Sequence, residues 1–290
     1  LTISGGETDS LTAQGGDSRN GIYSVSGDVT ISGGTVTATG GNSTGSYGSG
    51  GDGIHSGSLT ISGGTVTATG GGSTGSNGLG GRGIYSVSGD VTISGGTVTA
   101  TGGDSTGSYS SGGYGIYSSG VTISGGSTVT ANGGSGKDGS GDGIRSDGGV
   151  TISGGAVNAA GGDSKDGYGG DGIRSDGGVT ISGNTVNAAG GNGGKVGGYG
   201  ICSFDRVAIS GGTVTANGGD GSSGGDGIRS GDIDLSGSLE LTAKAGSPNG
   251  KALSQRGNEL DLNTIKDKLG PGAKVTATDA NGDSKQVSIP

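Results

Sequence analysis

The chain of 290 residues has no methionine or tryptophan, and only one phenylalanine, one cysteine, one histidine and three prolines. A single thiol, Cys202, rules out an internal disulfide framework. No apolar run approaches the roughly 20 residues that span a bilayer, and no signal peptide is legible. Basic residues are also scarce. The formal charge is −9 and the isoelectric point about 4.4, which argues against a nucleic acid or an anionic membrane surface as partner. With no Met and a start in mid-repeat at Leu1-Thr2-Ile3-Ser4, the chain reads as a processed or excised piece.

Glycine, in contrast, is abundant at 80 residues. Such enrichment first suggests low-complexity disorder, but the apolar positions keep their register through eight copies of one pattern, which disorder has no reason to do. In Gly21–Thr39 an isoleucine opens the pattern at Ile22 and returns at Ile54, Ile84, Ile116, Ile144, Ile173, Ile201 and Ile228, at steps of 27 to 32 residues. A period in that range marks a repeat architecture. Three short alternating runs lie in each copy: Ile22 in and Tyr23 out, then Val29 and Ile31 in, then Val36 and Ala38 in. Between them, SG and GG pairs supply the positive φ of sharp corners. The Gly34 position becomes Asn184 in ISGNTV, and Asn is the other residue that enters the left-handed region readily. These features predict an all-β fold, a right-handed parallel β-helix of about nine to ten three-stranded coils. One coil cannot bury enough apolar surface to stand alone, so stacking must hold it.

The repeat domain is expected over residues 1–258 and a capping segment over 259–290. In the latter, Leu262, Ile265 and Leu269 have helical spacing and Val275–Ile289 reads as a hairpin turning near Asn281-Gly282. The insertions after each third strand, such as NSTGSYGSGGD, leave at one corner and are expected as a mobile Gly-Ser fringe. An extra residue, Ser127, is expected as a corner bulge.

Stacking turns each outward position into a ladder with rungs about 4.8 Å apart. The position after the turn Ile reads Tyr23, His55, Tyr85, Tyr117, Arg145, Arg174, Cys202, Arg229. Two positions before that Ile stand Asn20, Asp52, Arg82, Tyr114, Asp142, Asp171, Tyr199 and Asp226. Together they read as one outward face, aromatic toward the N-terminal half and Arg/Asp-rich toward the C-terminal half. Tyr rings can stack on sugars and the Arg fork matches a carboxylate, so Tyr23, His55, Tyr85, Tyr117, Arg145, Arg174 and Arg229 are the candidate ligand-binding residues. The charges also have a structural reading, in which Asp147 and Asp176 neutralise Arg145 and Arg174 in solvent. Cys202 is expected as a partly exposed thiol without a catalytic role, because the only histidine, His55, lies two coils or more away.

A second ladder, Asp17, Asn42, Asp104, Asp163, Asn192 and Asp220, offers oxygen ligands beside Gly-rich backbone. That chemistry suits Ca²⁺, although the nonapeptide calcium-roll pattern is not repeated and the ladder has gaps. A third, Thr35/Thr37/Thr39, Thr65/Thr67/Thr69 and Thr97/Thr99/Thr101, suits any exposed strand. It also resembles the ice-binding face of β-solenoid antifreeze proteins, a resemblance that implies ice binding as an alternative function.

As a whole the repeat, GDGIHSGSLTISGGTVTATGG at Gly51–Gly71 and GDGIRSDGGVTISGGAVNAAGG at Gly141–Gly162, resembles the clostridial carbohydrate-binding-domain proteins over about Leu1 to Gly237. That resemblance implies a secreted or bacterial cell-surface β-helix that binds acidic plant polysaccharide, with bound calcium. The expected partner is a polysaccharide or surface glycan, with no catalysis, no nucleic acid and no membrane insertion. Two further alternatives stand: a stalk or filament subunit that associates end to end, and a pectate-lyase-like enzyme using Arg145 or Arg174 beside Asp142, Asp147, Asp171 or Asp176.

Overall fold

A computed structural model describes residues 1–290. The three alternating runs are three strands per coil, exemplified by Ile54–Ser56, Leu59–Ile61 and Thr65–Thr69. Each pairs in parallel with its copy one coil on: Ile54 with Ile84, Leu59 with Val91, Thr65 with Thr97. The result is an all-β parallel solenoid of about nine turns, in which the first-strand column runs from Ile22 to Leu253. Its inward Ile, Val, Leu and Ala columns form one core of 49 buried residues.

The corners follow the sequence. Gly34 and Gly64 have φ of +75° and +84°, and Asn184 takes their place at +68°. Where Ser127 is inserted, it is buried and donates its hydroxyl to the Ser124 carbonyl at 2.9 Å. A buried serine also sits two residues after most turn isoleucines. Ser86 bonds the Gly57 and Gly89 carbonyls, and Ser175 those of Gly148 and Gly178, so the hydroxyl satisfies corner carbonyls that face inward.

The insertions differ from the expected mobile fringe. Most leave and re-enter the coil through a pair of glycines, the first re-entering at Arg19-Asn20 and the fifth at Ser140-Gly141, and these two legs are joined by hydrogen bonds that alternate between them along the whole solenoid. Gly41 donates to Arg19, Gly51 to Gly41, Gly71 to Gly51, Gly81 to Gly71, and the sequence continues unbroken to Gly246 donating to Gly225, every bond 2.8–2.9 Å. Beyond this pinch the insertions stack as a fin. Ser43, Ser73 and Ser105 bridge rung to rung, as do Ser49, Leu79, Ser111, Gly139, Tyr168, Val196 and Ser223. Inside the fin, buried Ser73 and Ser105 donate to the Gly48 and Gly78 carbonyls. The insertions are ordered because their backbone polar groups find partners one coil away.

At the C-terminal end a 3₁₀ helix, Leu262–Lys268, is capped by Asp261, whose carboxylate accepts the Asn263 N–H at 3.0 Å. Leu262, Ile265 and Leu269 close the core. Lys274–Thr278 adds a last third-strand rung and pairs antiparallel with Ser284–Ser288, which covers that edge.

Only glycine fits the pinch. A Cβ on Gly113 would sit 1.9 Å from the Gly81 carbonyl oxygen, whereas one on Gly45 meets nothing within 4 Å. Gly113→Ala is expected to cost about 3 kcal/mol or more, because the clash is with backbone and not with a side chain that can move aside. Gly45→Ala stays near neutral. Chemical denaturation of both variants, followed by circular dichroism, checks the difference.

Candidate functional site

The first-strand row emerges as anticipated, with Tyr23, His55, Tyr85, Tyr117, Arg145, Arg174, Cys202 and Arg229 in one register. Its rings face one another. Tyr85 and Tyr117 stack with centroids 5.3 Å apart and planes 6° apart, and His55 meets Tyr23 and Tyr85 edge-on at 5.0 and 4.9 Å. Rung spacing causes this: rings about 4.8 Å apart fill the gap with each other. Edges and hydroxyls, more than ring faces, are therefore open to a ligand in this row.

The column two positions before the turn Ile corrects the expectation of an outward Arg/Asp face. Asp52, Asp142, Asp171 and Asp226 are buried. Each turns Oδ1 to the amide one coil on: Asp52 to Arg82, Asp142 to Asp171, Asp171 to Tyr199 and Asp226 to Lys251, at 2.7–2.8 Å. The cations lie over them. Arg174 is 3.2 Å from Asp171, Arg145 is 3.6 Å from Asp142 and 3.7 Å from Asp176, and Arg229 is 3.6 Å from Asp226. The pairing of Arg145 with Asp176 matches the structural reading of these charges, and Asp147 accepts instead from the Tyr117 hydroxyl at 2.9 Å.

Cys202 is a second correction. It shares the outward register yet is only 3% exposed, because its short side chain lies between Arg174 and Arg229 on neighbouring rungs. Burial, and secondarily the Asp171 charge, pushes its thiol up to about 12, so it stays protonated and unreactive.

The Asp/Asn ladder proposed for calcium does the same backbone work at the root of the fin. Asn42 accepts the Gly72 amide, Asp104 that of Ser135, Asp163 that of Asn192, Asn192 that of Asp220, and Asp220 that of Ser247, at 2.6–2.9 Å. Asp17 makes no such bond. In the other five one side-chain oxygen is thus committed to an amide, and no group of three or more His, Cys, Asp or Glu side chains is gathered in the structure.

Between fin and body runs a furrow. Over three coils it encloses about 330 Å³, floored by Gly50, Gly80, Gly81, Gly112 and Gly113 and walled on the fin side by Ser49, Leu79, Ser111 and Ser140. Asp52, Arg82 and Tyr114 form the body wall. Arg82 lies 4.0 Å over the Tyr85 ring and 5.3 Å from that of Tyr117, and Tyr114 packs on Tyr117 at 5.3 Å. Wall and row thus form one cation–aromatic strip. Sequence reasoning placed these residues on one face but missed the furrow, because its second wall comes from the insertions.

Buried carboxylates on successive rungs make stability depend on pH. Burial raises the pKa of Asp142, and burial together with the Asp142 charge raises that of Asp171 to about 7. The folded state then holds protons that the unfolded chain releases, so this contribution is present at low pH and lost as pH rises through about 7. Asp171→Asn keeps the acceptor for Tyr199, as Asn20 accepts the Asp52 amide in the same column. The variant is expected to melt several degrees above wild type at pH 8 and level with it near pH 4, which thermal melts at the two pH values check.

Comparison with known proteins agrees with the architecture. The Beta helix repeat family matches residues 59–81, 91–116, 121–144 and 207–226. No curated protein and no solved structure matches the chain. Each matched segment lies within a single turn of the solenoid described above, and by its fold the chain is a parallel β-helix protein.

Proposed function

We propose that this protein is an extracellular, non-catalytic glycan-binding β-helix, in which an extended polysaccharide lies along the furrow and the first-strand row beside it. The observation that carries this reading is the strip Arg82–Tyr85–Tyr117–Tyr114 along the open furrow. The furrow is polar, glycine-floored and long in the direction of the coil axis, so it suits a linear ligand with hydroxyl edges better than a compact one. Tyr117, Arg145 and Arg174 offer hydroxyl and guanidinium edges on the same side, and Arg229 extends them toward the C-terminal end. Candidate acid and base groups repeat down the axis and are occupied by one another or by amides, which favours binding over turnover.

An acidic glycan approaches a chain of net charge −9, so the arginines must outweigh that repulsion and affinity falls with salt. Affinity electrophoresis through polygalacturonate and through neutral glycans, with and without EDTA, tests the reading. Arg145→Ala is expected to weaken polygalacturonate binding about tenfold, as for one charge-assisted hydrogen bond of about 1.5 kcal/mol, and Tyr117→Ala by a smaller factor. Unchanged binding in both variants removes this face. A rise in ultraviolet absorbance from unsaturated product would replace the reading with a lyase, and no binding to any glycan would favour the structural stalk.

A further inference from the structure

The fin carries its own aromatic residues at its tips. Tyr47 and Tyr109 are 77% and 75% exposed, the most exposed of the large hydrophobic side chains, and neither ring has an aromatic or cationic partner. Both stand in the left-handed region, at φ of +61° and +56°. Asn77 occupies the same position in the coil between them, at +57°. The register is fixed by hydrogen bonds from the Tyr47 amide to Ser76 and from the Asn77 amide to Ser108.

Asparagine is what this backbone conformation favours, and a bulky side chain there is an outlier that costs stability. Packing gives no return for that cost, because the rings point into solvent. Strain of this kind that no internal contact explains points to function. The two rings are two rungs apart, about 10 Å, with the Asn77 amide between them; their chain neighbours are serine and glycine, the half-exposed Leu79 stands two residues from Asn77, and Lys137 and Asp138 lie on the rung beyond Tyr109. A protein partner would want a contiguous apolar patch. Isolated ring faces in a hydroxyl- and amide-rich setting fit a sugar chain, whose apolar ring faces alternate with hydroxyl edges. The stacking surface that the first-strand tyrosines use on one another is thus available here.

We propose that Tyr47 and Tyr109, with Asn77 between them, form a second glycan subsite that holds a neutral polysaccharide by ring stacking. This deepens the glycan-binding reading above and rests on it, but uses a different face of the molecule. The test is the double variant Tyr47→Asn/Tyr109→Asn, which puts at both tips the residue already present at Asn77. Its melting temperature should equal or exceed that of wild type, so lost binding cannot be blamed on misfolding. In affinity electrophoresis through hydroxyethylcellulose, xylan and mannan, wild type is expected to be retarded by at least one. The double variant should lose at least tenfold in affinity for that polymer while keeping its polygalacturonate mobility. Equal retardation of both proteins, or no retardation of wild type by any neutral polymer, overturns the fin-tip subsite. Polygalacturonate binding in the same gels decides the furrow separately. A double variant that melts below wild type would overturn the argument from strain.

Discussion

Close backbone approach at the root of the fin is the constraint on which the rest of this structure depends. The two legs of each insertion pass within one hydrogen bond of each other and of the coils above and below, which leaves no room for a Cβ. Glycine in a strand ordinarily weakens it through lost entropy and packing. Here it permits an unbroken series of N–H···O=C bonds to run inside the molecule, parallel to the apolar core and separate from it. The high glycine content is therefore a packing requirement, and the composition that suggests disorder instead specifies order. It also divides each coil into an apolar body and a polar fin, and the furrow is the angle between them.

The same close stacking decides what the polar side chains can do. A carboxylate or amide oxygen at these corners generally lies within reach of the amide one rung on, so every Asp and Asn of the two columns except Asp17 becomes a backbone partner before it can become a ligand. Burying Asp142 and Asp171 on adjacent rungs then requires cations above them, and Arg145 and Arg174 supply these. Much of the Arg/Asp pattern is accounted for inside the wall. What is left over for a ligand is the outer edge of that network and the surfaces the stacking does not close.

Strands, corners and their order were legible because alternation and positive φ are properties of neighbouring residues. Val29, Ile31 and Val36 declare an inward face, and Asn184 declares its corner by replacing glycine. The C-terminal hairpin and the buried Leu262, Ile265 and Leu269 were legible for the same reason. Features that depend on residues some 30 positions apart were not. That Cys202 is covered by Arg174 and Arg229, that Tyr85 and Tyr117 close each other's faces, and that the insertions zip at Gly41 and Gly51 all depend on contact between coils. The buried serine column was within reach: alternation puts Ser two residues after an inward Ile on the inward side too, and only its polarity argued otherwise.

A chain of repeats carries its own comparison, since each column is sampled once per coil. Columns set by inter-coil geometry hardly vary: the turn isoleucines, the serines two residues on, and the pinch glycines from Gly41 to Gly246. The column that reads Tyr, His, Tyr, Tyr, Arg, Arg, Cys, Arg varies widely, so the coil places few demands on that slot. In a solenoid each coil touches only its neighbours, and a change in such a slot is felt over one rung in either direction. Chemistry can therefore drift along the axis, from aromatic to cationic, without disturbing the fold. The fin-tip position is the exception that carries the most information. Its backbone does place a demand, Asn77 meets it, and Tyr47 and Tyr109 on either side depart from it in the same way.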